Sequence, residues 1–172
     1  FGLDGSPQGR TAFLSRPYNE GPPGAAPDYR AYPTYPAEKF NPKIAQLIER
    51  GTPTLVHANG DAAIDMLIDG VAAALDNREL PDHRTVIIHA QLMRKDQLER
   101  TKRLGLVPSY YSAHSFFWGD WHRRSFGEER AAFISPAAET ARMQIPFTIH
   151  NDAPIVPPDM MRLMGIAVNR KT

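Results

Sequence analysis

Short apolar runs alternate with amphipathic helical patterns along most of this chain, and that alternation restricts its fold more than any other feature. Runs with the length and composition of buried strands lie at 54–57, 85–89, 106–111 and 145–150. Helical patterns follow them at 61–75, 95–104, 136–143 and 158–168. Strands that alternate with helices in this way are typical of βαβ units and a parallel sheet. We therefore predict the α/β class.

Three further segments complete the predicted organisation. Asn41 and Pro42 suit the start of a helix, and Gly51 suits its end, so a short helix is expected between them. Residues 4–39 hold seven prolines among glycines and tyrosines and are predicted to form one long loop. That loop is either a surface segment packed by its own tyrosines or a contact surface. Residues 112–126 are predicted as a second, aromatic loop.

Composition excludes several classes of protein and site. Lys plus Arg number 20 against 19 Asp plus Glu, so nothing in the charge favours nucleic acid or an anionic membrane as a partner. The absence of cysteine excludes disulfides, thiolate metal sites and a cysteine nucleophile. No apolar run is long enough to cross a bilayer. The length predicts a single domain over 1–172, and we expect a cytoplasmic protein that could form a homo-oligomer.

Histidines stand at the ends of the predicted strands. His57 and His89 each finish a strand, and Asp152 follows shortly after the last one. Because the carboxyl ends of parallel strands share one edge, these side chains could converge on a metal ion. Imidazole and carboxylate ligands without thiolate suit Zn, Mn or Fe. Taken singly, a histidine that finishes a strand is more often hydrogen-bonded to a neighbouring loop than bound to metal, and Asp152 could instead form a turn before Pro154.

A metal site of this kind predicts hydrolytic chemistry. Bound water would become acidic enough to ionise near neutral pH, and a carbonyl would be polarised. Asp152 is the candidate base for the attacking water. A metal-independent α/β enzyme that uses His57 or His89 as its general base remains an alternative.

The aromatic segment is the candidate substrate pocket. Trp118 and Trp121 are predicted to line an apolar wall, and His114 is predicted to donate to the substrate carbonyl or its developing oxyanion. The alternative is that these aromatic rings only fill the core beneath a long loop.

Four motifs in order resemble those of the amidohydrolase superfamily. They are Asp-Gly-Ser-Pro-Gln-Gly-Arg-Thr-Ala at 4–12, His-Ala-Asn-Gly-Asp at 57–61, His-Ala-Gln at 89–91 and His-Asn-Asp-Ala-Pro at 150–154. The set is most similar to amidohydrolase family 3, which includes enzymes similar to N-substituted formamide deformylase. The resemblance covers nearly the whole chain.

This resemblance implies that the chain is part of a (β/α)8 barrel of the TIM type, about strands 5 to 8 with their helices. His57 then matches the ligand of the fifth strand, His89 that of the sixth, and Asp152 the metal-binding and proton-transferring Asp of the eighth. Asp61 matches an acidic residue that orients its neighbours or caps the following helix. The implied activity is metal-dependent hydrolysis of non-peptide C–N bonds in a small amide-type substrate, with zinc as the expected metal.

The chain also departs from the family pattern. It lacks an His-x-His pair, and the carboxylated Lys of the family would lie upstream of Phe1. Ile88 stands where family members often carry Glu. A whole barrel typically needs about 250 residues, so we expect the remaining strands to come from polypeptide outside this sequence rather than the chain to be an incomplete barrel. A noncatalytic or regulatory relative without a complete metal site is the alternative function.

Overall fold

The computed structural model describes residues 1–76 and 81–170. Its elements in chain order are α1 Ala37–Glu49, β1 Thr54–Ala58, α2 Asp61–Leu75, β2 Thr85–His89, α3 Lys95–Arg103, β3 Val107–Tyr110, α4 Ala113–Phe126, α5 Glu128–Ala132, α6 Ala137–Arg142, β4 Thr148–Ile149 and α7 Met160–Asn169. None of the helices in these ranges combines the length and apolarity needed to cross a membrane.

The strands form one parallel sheet in the order β1-β2-β3-β4. Each strand pairs with the next strand along the chain, as in His57 opposite Ile88 and His89 opposite Tyr110. A parallel bridge from Gly2 to His57 places the start of the chain beside β1. The predicted α/β class is confirmed, and sequential parallel strands with intervening helices are what a part of a (β/α)8 barrel contains.

Helices cover one face of this sheet and form the main core with it. Val56 and Ile87 point into that core, together with Ile64, Leu67 and Ile68 of α2, and all five are fully buried. Helix α1 packs closely on α2 at Gly70. A Cβ atom at that position would lie only 3.2 Å from atoms of Phe40 and Ile44. On the opposite face, Leu55 is 61% exposed.

Two of the predictions about local structure were wrong. Helix α1 begins at Ala37, with Pro36 as its N-cap, so Asn41 is not the cap and Pro42 lies inside the helix. Burial of Phe40 in the core favours this additional first turn. The predicted loop 4–39 accordingly ends before Ala37.

The segment predicted as an aromatic loop, 112–126, is helical instead. Helix α4 spans Ala113–Phe126, with non-helical backbone angles at Trp118. Its inward face buries His114, His122 and Phe126, whereas Phe116 and Phe117 are exposed. Packing of that face against the rest of the molecule therefore outweighs the weak helical periodicity of the segment.

The long loop before α1 is held by its own tyrosines and by α5. The hydroxyl of Tyr18 donates to the carbonyl of Ala12 at 2.7 Å, and its ring lies 5.4 Å from that of Phe126. Arg130 of α5 donates to the carbonyl of Pro17 at 2.9 Å. These contacts fix the loop against the body of the protein.

Candidate metal centre

Each strand of the sheet brings one aromatic or imidazole ring to its carboxyl end. His57 lies near the end of β1 and His89 ends β2, while Tyr111 and His150 directly follow β3 and β4. The ring of His89 lies 4.7 Å from that of His57 and 5.0 Å from that of His150, measured between ring centroids. The parallel order of the strands therefore gathers three imidazoles at one edge.

The nitrogens of two of these imidazoles face each other. Nε2 of His150 lies 3.2 Å from Nδ1 of His89. A potential ligand atom of Asp152 joins them, and the three ligand atoms all lie within 4.8 Å of one another. Two nitrogens at this separation share either a proton or a cation, because two facing lone pairs would repel each other.

Backbone conformation helps to bring His89 and Asp152 into the group. By strand alternation His89 shares the face of Ile87, which packs in the helix-covered core. His89 instead adopts a left-handed φ of 72°, and Asp152 adopts one of 58°. Non-glycine residues in this region cost about 1–3 kcal/mol each, and such residues cluster at functional sites.

His57 is oriented by a buried carboxylate. Its Nδ1 lies 3.3 Å from Oδ1 of Asp4, which is an ion-pair distance without hydrogen-bond alignment. Its Nε2 lies 3.2 Å from the side-chain nitrogen of Asn59. A carboxylate on one ring nitrogen is the usual arrangement for a histidine whose other nitrogen binds metal.

Asp4 is itself fixed by the backbone. Its carboxylate accepts hydrogen bonds from the N–H groups of Phe13 at 3.0 Å, Asn59 at 3.0 Å and Gly60 at 2.7 Å. Only glycine fits at position 60, because a Cβ there would lie 1.9 Å from the carbonyl oxygen of Phe13. Asp4 thus joins the start of the chain, the long loop and the exit of β1.

His150 is oriented by a hydroxyl on the neighbouring strand. Its Nδ1 lies 2.9 Å from Oγ of Ser109, which also accepts a hydrogen bond from the Thr148 hydroxyl at 2.8 Å. When Nδ1 carries the proton it donates to Ser109. The lone pair of Nε2 then points toward His89.

Burial keeps the imidazoles of His89 and His150 neutral, which is the form that binds metal. Burial, followed by the neighbouring rings of His57 and His150, lowers the pKa of His89 to about 3. The pKa of His150 is also lowered by burial; Asp152 opposes this shift, and His57 adds to it.

Two polar side chains without hydrogen-bond partners lie beside the imidazoles. His114 is buried, with its ring centroid 5.9 Å from that of His89, and burial lowers its pKa well below the usual value. Burial, followed by the charge of Asp152, raises the pKa of Tyr111 to about 12. Within the described ranges, Nδ1 of His114 and the hydroxyl of Tyr111 have no hydrogen-bond partner. Both groups are therefore neutral, and in the described part of the chain both polar atoms are buried without a partner.

The other residues predicted for the site fall in two places. Trp118 lies near the cluster, with its ring centroid 6.0 Å from that of His114. Trp121 makes its contacts elsewhere, since its indole N–H donates to the carbonyl of Gln8 at 3.2 Å and Arg10 lies over its ring.

Asp61 also makes its contacts away from the imidazoles. Its carboxylate accepts from the backbone N–H of Ser15 at 2.9 Å and from Arg94 at 2.9 Å. It stands in the first turn of α2 without capping that helix, whose N-cap is Gly60. Asp61 therefore ties the long loop and the start of α3 to α2.

Four residues of this arrangement were not among the predicted site residues. His150 is recognisable in the sequence as the end of a predicted strand, and Asp4 as the first residue of a quoted motif. Tyr111 is likewise the last residue of the predicted strand 106–111. Ser109 carries no such signal, because a hydroxyl within a strand is ordinary.

Comparison with known proteins agrees with this geometry. The model of the family described as "Amidohydrolase family" matches residues 1–172. The Bacillus subtilis (strain 168) protein YtcJ, which carries the name amidohydrolase, is 26% identical over 172 residues, covering 98% of this chain and 30% of YtcJ.

Two solved structures of metal-dependent hydrolases, both described as uncharacterized, are also similar. The one from Pyrococcus furiosus has 32% identity and a TM-score of 0.77, with 98% of this chain and 33% of that chain covered. The one from Pyrococcus horikoshii OT3 has 29% identity and a TM-score of 0.79, with coverages of 98% and 32%. Ochratoxinase of A. niger, at 13% identity and a TM-score of 0.53, shares the fold alone. This chain therefore spans about a third of the length of its relatives.

Proposed function

Since this chain belongs to the amidohydrolase family, we propose that it carries the metal centre of a metal-dependent hydrolase that cleaves C–N bonds in non-peptide amides. The observation that carries the proposal is the 3.2 Å separation between Nδ1 of His89 and Nε2 of His150, with Asp152 beside them. The similarity to structures of metal-dependent hydrolases supports it.

The residues present fit a divalent transition metal. Two imidazole nitrogens bound to one tetrahedral zinc at about 2.0–2.1 Å lie about 3.3 Å apart, close to the observed 3.2 Å. The donor set of neutral imidazole and carboxylate suits Zn, with Mn or Fe as alternatives. We propose zinc, held by His89, His150 and Asp152.

His57 is the fourth proposed ligand. The contact from Asp4 to its Nδ1 leaves Nε2 to bind metal, and that nitrogen now faces the amide of Asn59. Binding through Nε2 requires the Asn59 amide to turn away. The carboxylated Lys expected upstream of Phe1 would complete the site from outside this sequence.

The chemistry depends on residues whose protonation is defined by their surroundings. A divalent metal at such a site lowers the pKa of water toward neutrality and polarises a carbonyl. Among the described residues, no group donates a hydrogen bond to the carboxylate of Asp152, so it is free to take the proton of the attacking water. Asp152 then returns that proton to the leaving nitrogen.

The buried donors beside the imidazoles suit the developing oxyanion. The Tyr111 hydroxyl is protonated at neutral pH because its pKa is raised to about 12. We propose His114 and Tyr111 as donors to the substrate oxygen and Trp118 as an apolar contact for the acyl part. Trp121, predicted to line the same wall, would act only through the Arg10 side chain it packs against. A small N-acyl or N-formyl amide is the proposed substrate.

Metal content and activity measured together test this function. We expect the purified full-length protein to bind Zn, Mn or Fe at a stoichiometric level, and to hydrolyse members of a panel of N-acyl and N-formyl amines. Prolonged chelation should abolish hydrolysis, and the metal should restore it. No more than trace metal in the intact protein would refute the proposal and favour a noncatalytic role, while hydrolysis that survives chelation would favour the metal-independent mechanism.

A further inference from the structure

A second cavity lies apart from the imidazole cluster. It has a volume of about 540 Å³ and lies between the long loop, the start of α2, the segment before α3, and α5. None of the residues that line it belongs to the metal centre. Its lining residues are Arg16, Asp61, Leu92, Met93, Arg94, Lys95, Glu129, Arg130, Ala132 and Phe133. This size is in the range of small-molecule sites.

The floor of the cavity is apolar. Leu92 and Met93 are buried there, and the ring of Phe133 adds an aromatic surface. Such a floor suits the hydrocarbon part of a small molecule. It offers little to a purely polar ligand.

The cations of the cavity differ in how their charges are compensated. Arg94 is neutralised by ion pairs to Asp61, Asp65 and Asp96. Arg130 donates instead to the carbonyl groups of Phe126 and Pro17 and to the side chain of Asn19. Within the described residues it forms no ion pair.

Two cations have no polar partner. Arg16 and Lys95 are exposed, and within the described residues neither side chain makes an ion pair or a hydrogen bond; Lys95 only lies 5.8 Å from the ring of Phe133. Burial, followed by the charge of Arg16, lowers the pKa of Arg130, while Asp61 and Glu129 oppose that shift. The cavity thus combines an apolar floor with two exposed cations, Arg16 and Lys95, that form no ion pair in the described part of the chain.

We propose that this cavity binds a small monocarboxylate with an apolar body, its carboxylate held between Arg16 and Lys95 and its hydrocarbon part on Leu92, Met93 and Phe133. A single negative charge fits better than two, because the carboxylate of Glu129 also lines the cavity and would repel a dianion. A cationic ligand would be repelled by the four basic side chains that line the cavity, which are Arg16, Arg94, Lys95 and Arg130.

The site shares a chain segment with the metal centre. Residues 90–94 run from His89 to the N-cap of α3, and Leu92, Met93 and Arg94 of that segment line the cavity. The backbone N–H of Leu92 donates to the carbonyl of Asn59 at 2.9 Å, which connects the segment to the exit of β1. The two sites are therefore neighbours on one edge of the sheet, with different linings.

Calorimetric titration of the metal-loaded full-length protein tests the proposal. Octanoate is the probe, 1-octanol its neutral counterpart without an amide bond, and octyl phosphate the dianion. We expect octanoate to bind, 1-octanol and octyl phosphate to bind at least about tenfold more weakly, and R16Q and K95Q each to weaken octanoate binding about 3- to 10-fold. The matched control is K39Q, which removes an exposed Lys of α1 that does not line the cavity and should leave binding unchanged.

A carboxylate can also bind a metal ion, so the variants must separate the two sites. If R16Q and K95Q bind octanoate as tightly as the natural protein, or if removal of the metal abolishes binding, the carboxylate sits at the metal centre and the proposal is wrong. Absence of octanoate binding overturns it as well. None of these results depends on whether the metal centre hydrolyses amides.

Discussion

Nε2 of His150 and Nδ1 of His89 face each other across 3.2 Å, although the two residues are separated by 61 positions in the chain. Burial lowers the pKa of both rings, so both are neutral at neutral pH and each keeps one nitrogen lone pair that can bind a metal ion. A metal ion bound by both nitrogens is the arrangement that we propose for this pair.

Replacement of either histidine should remove the metal. We expect H89A and H150A each to lose most bound metal, because each deletes one of two facing ligands. H57A should lower metal affinity less if the Asn59 amide stays on Nε2. Metal content after gel filtration, measured by inductively coupled plasma mass spectrometry, decides this. Full metal occupancy in H150A would show that His150 is not a ligand.

Asp152 is expected to matter more for turnover than for metal binding. In D152N an amide oxygen can still contact the cation but cannot take a proton, so metal should be retained while kcat falls about 10²- to 10⁴-fold. Steady-state kinetics and metal content on the same sample measure the two effects. An Asn variant with full activity would exclude Asp152 as the base.

Ser109 provides a test of how His150 is oriented. S109A removes the oxygen 2.9 Å from Nδ1 of His150 and should weaken metal affinity about 10- to 100-fold, as is typical when a group that hydrogen-bonds to a metal ligand is lost. T148V is the matched control, because Thr148 contacts the same hydroxyl from the other side. Competition with a chromophoric chelator measures both affinities; equal losses in the two variants would contradict the assignment.

Much of the fold was predictable, and the failures have specific causes. Strand and helix periodicity located the parallel units, and the predicted helix 158–168 coincides closely with α7, whose N-cap Asp159 accepts from the N–H of Arg162. The start of α1 was predicted too late because Asn41 and Pro42, which suit the start of a helix, lie inside it. Burial of Phe40 favours the turn that precedes them. Helix α4 was missed because its aromatic and polar residues lack a clear apolar period.

The site was only partly predictable for a different reason. His57, His89 and Asp152 were placed at one edge from strand order alone. The direction in which His89 turns toward His57 depends on its φ of 72°. A histidine in a sequence does not predict a left-handed conformation, whereas a glycine can indicate one. His150 was not predicted as a ligand, because the family resemblance assigns only Asp152 of the last motif to the metal.

Acid should destabilise the protein in a defined range. Burial lowers the pKa of His122 to about 4, against about 6.5 in an unfolded chain. Between those values the unfolded state binds more protons, so the free energy of unfolding falls as the pH drops from about 6.5 to about 4, with a slope of up to about 1.4 kcal/mol per pH unit for this one group.

The variant H122F isolates that contribution. Phenylalanine keeps the stacking on Phe126, whose ring lies 5.5 Å away, and it cannot titrate. Urea unfolding at several pH values should give a shallower acid dependence for H122F than for the natural protein. An unchanged slope would mean that His122 does not titrate with unfolding.

The three amides bound by Asp4 have a consequence for how the protein is assembled. The carboxylate of Asp4 accepts hydrogen bonds from the backbone N–H groups of Phe13, Asn59 and Gly60 and also contacts His57. The first residues of the chain therefore cannot detach without loosening an imidazole of the cluster. Hydrogen exchange at those three positions should consequently occur in a single cooperative opening, and cation uptake should slow that opening for all of them together.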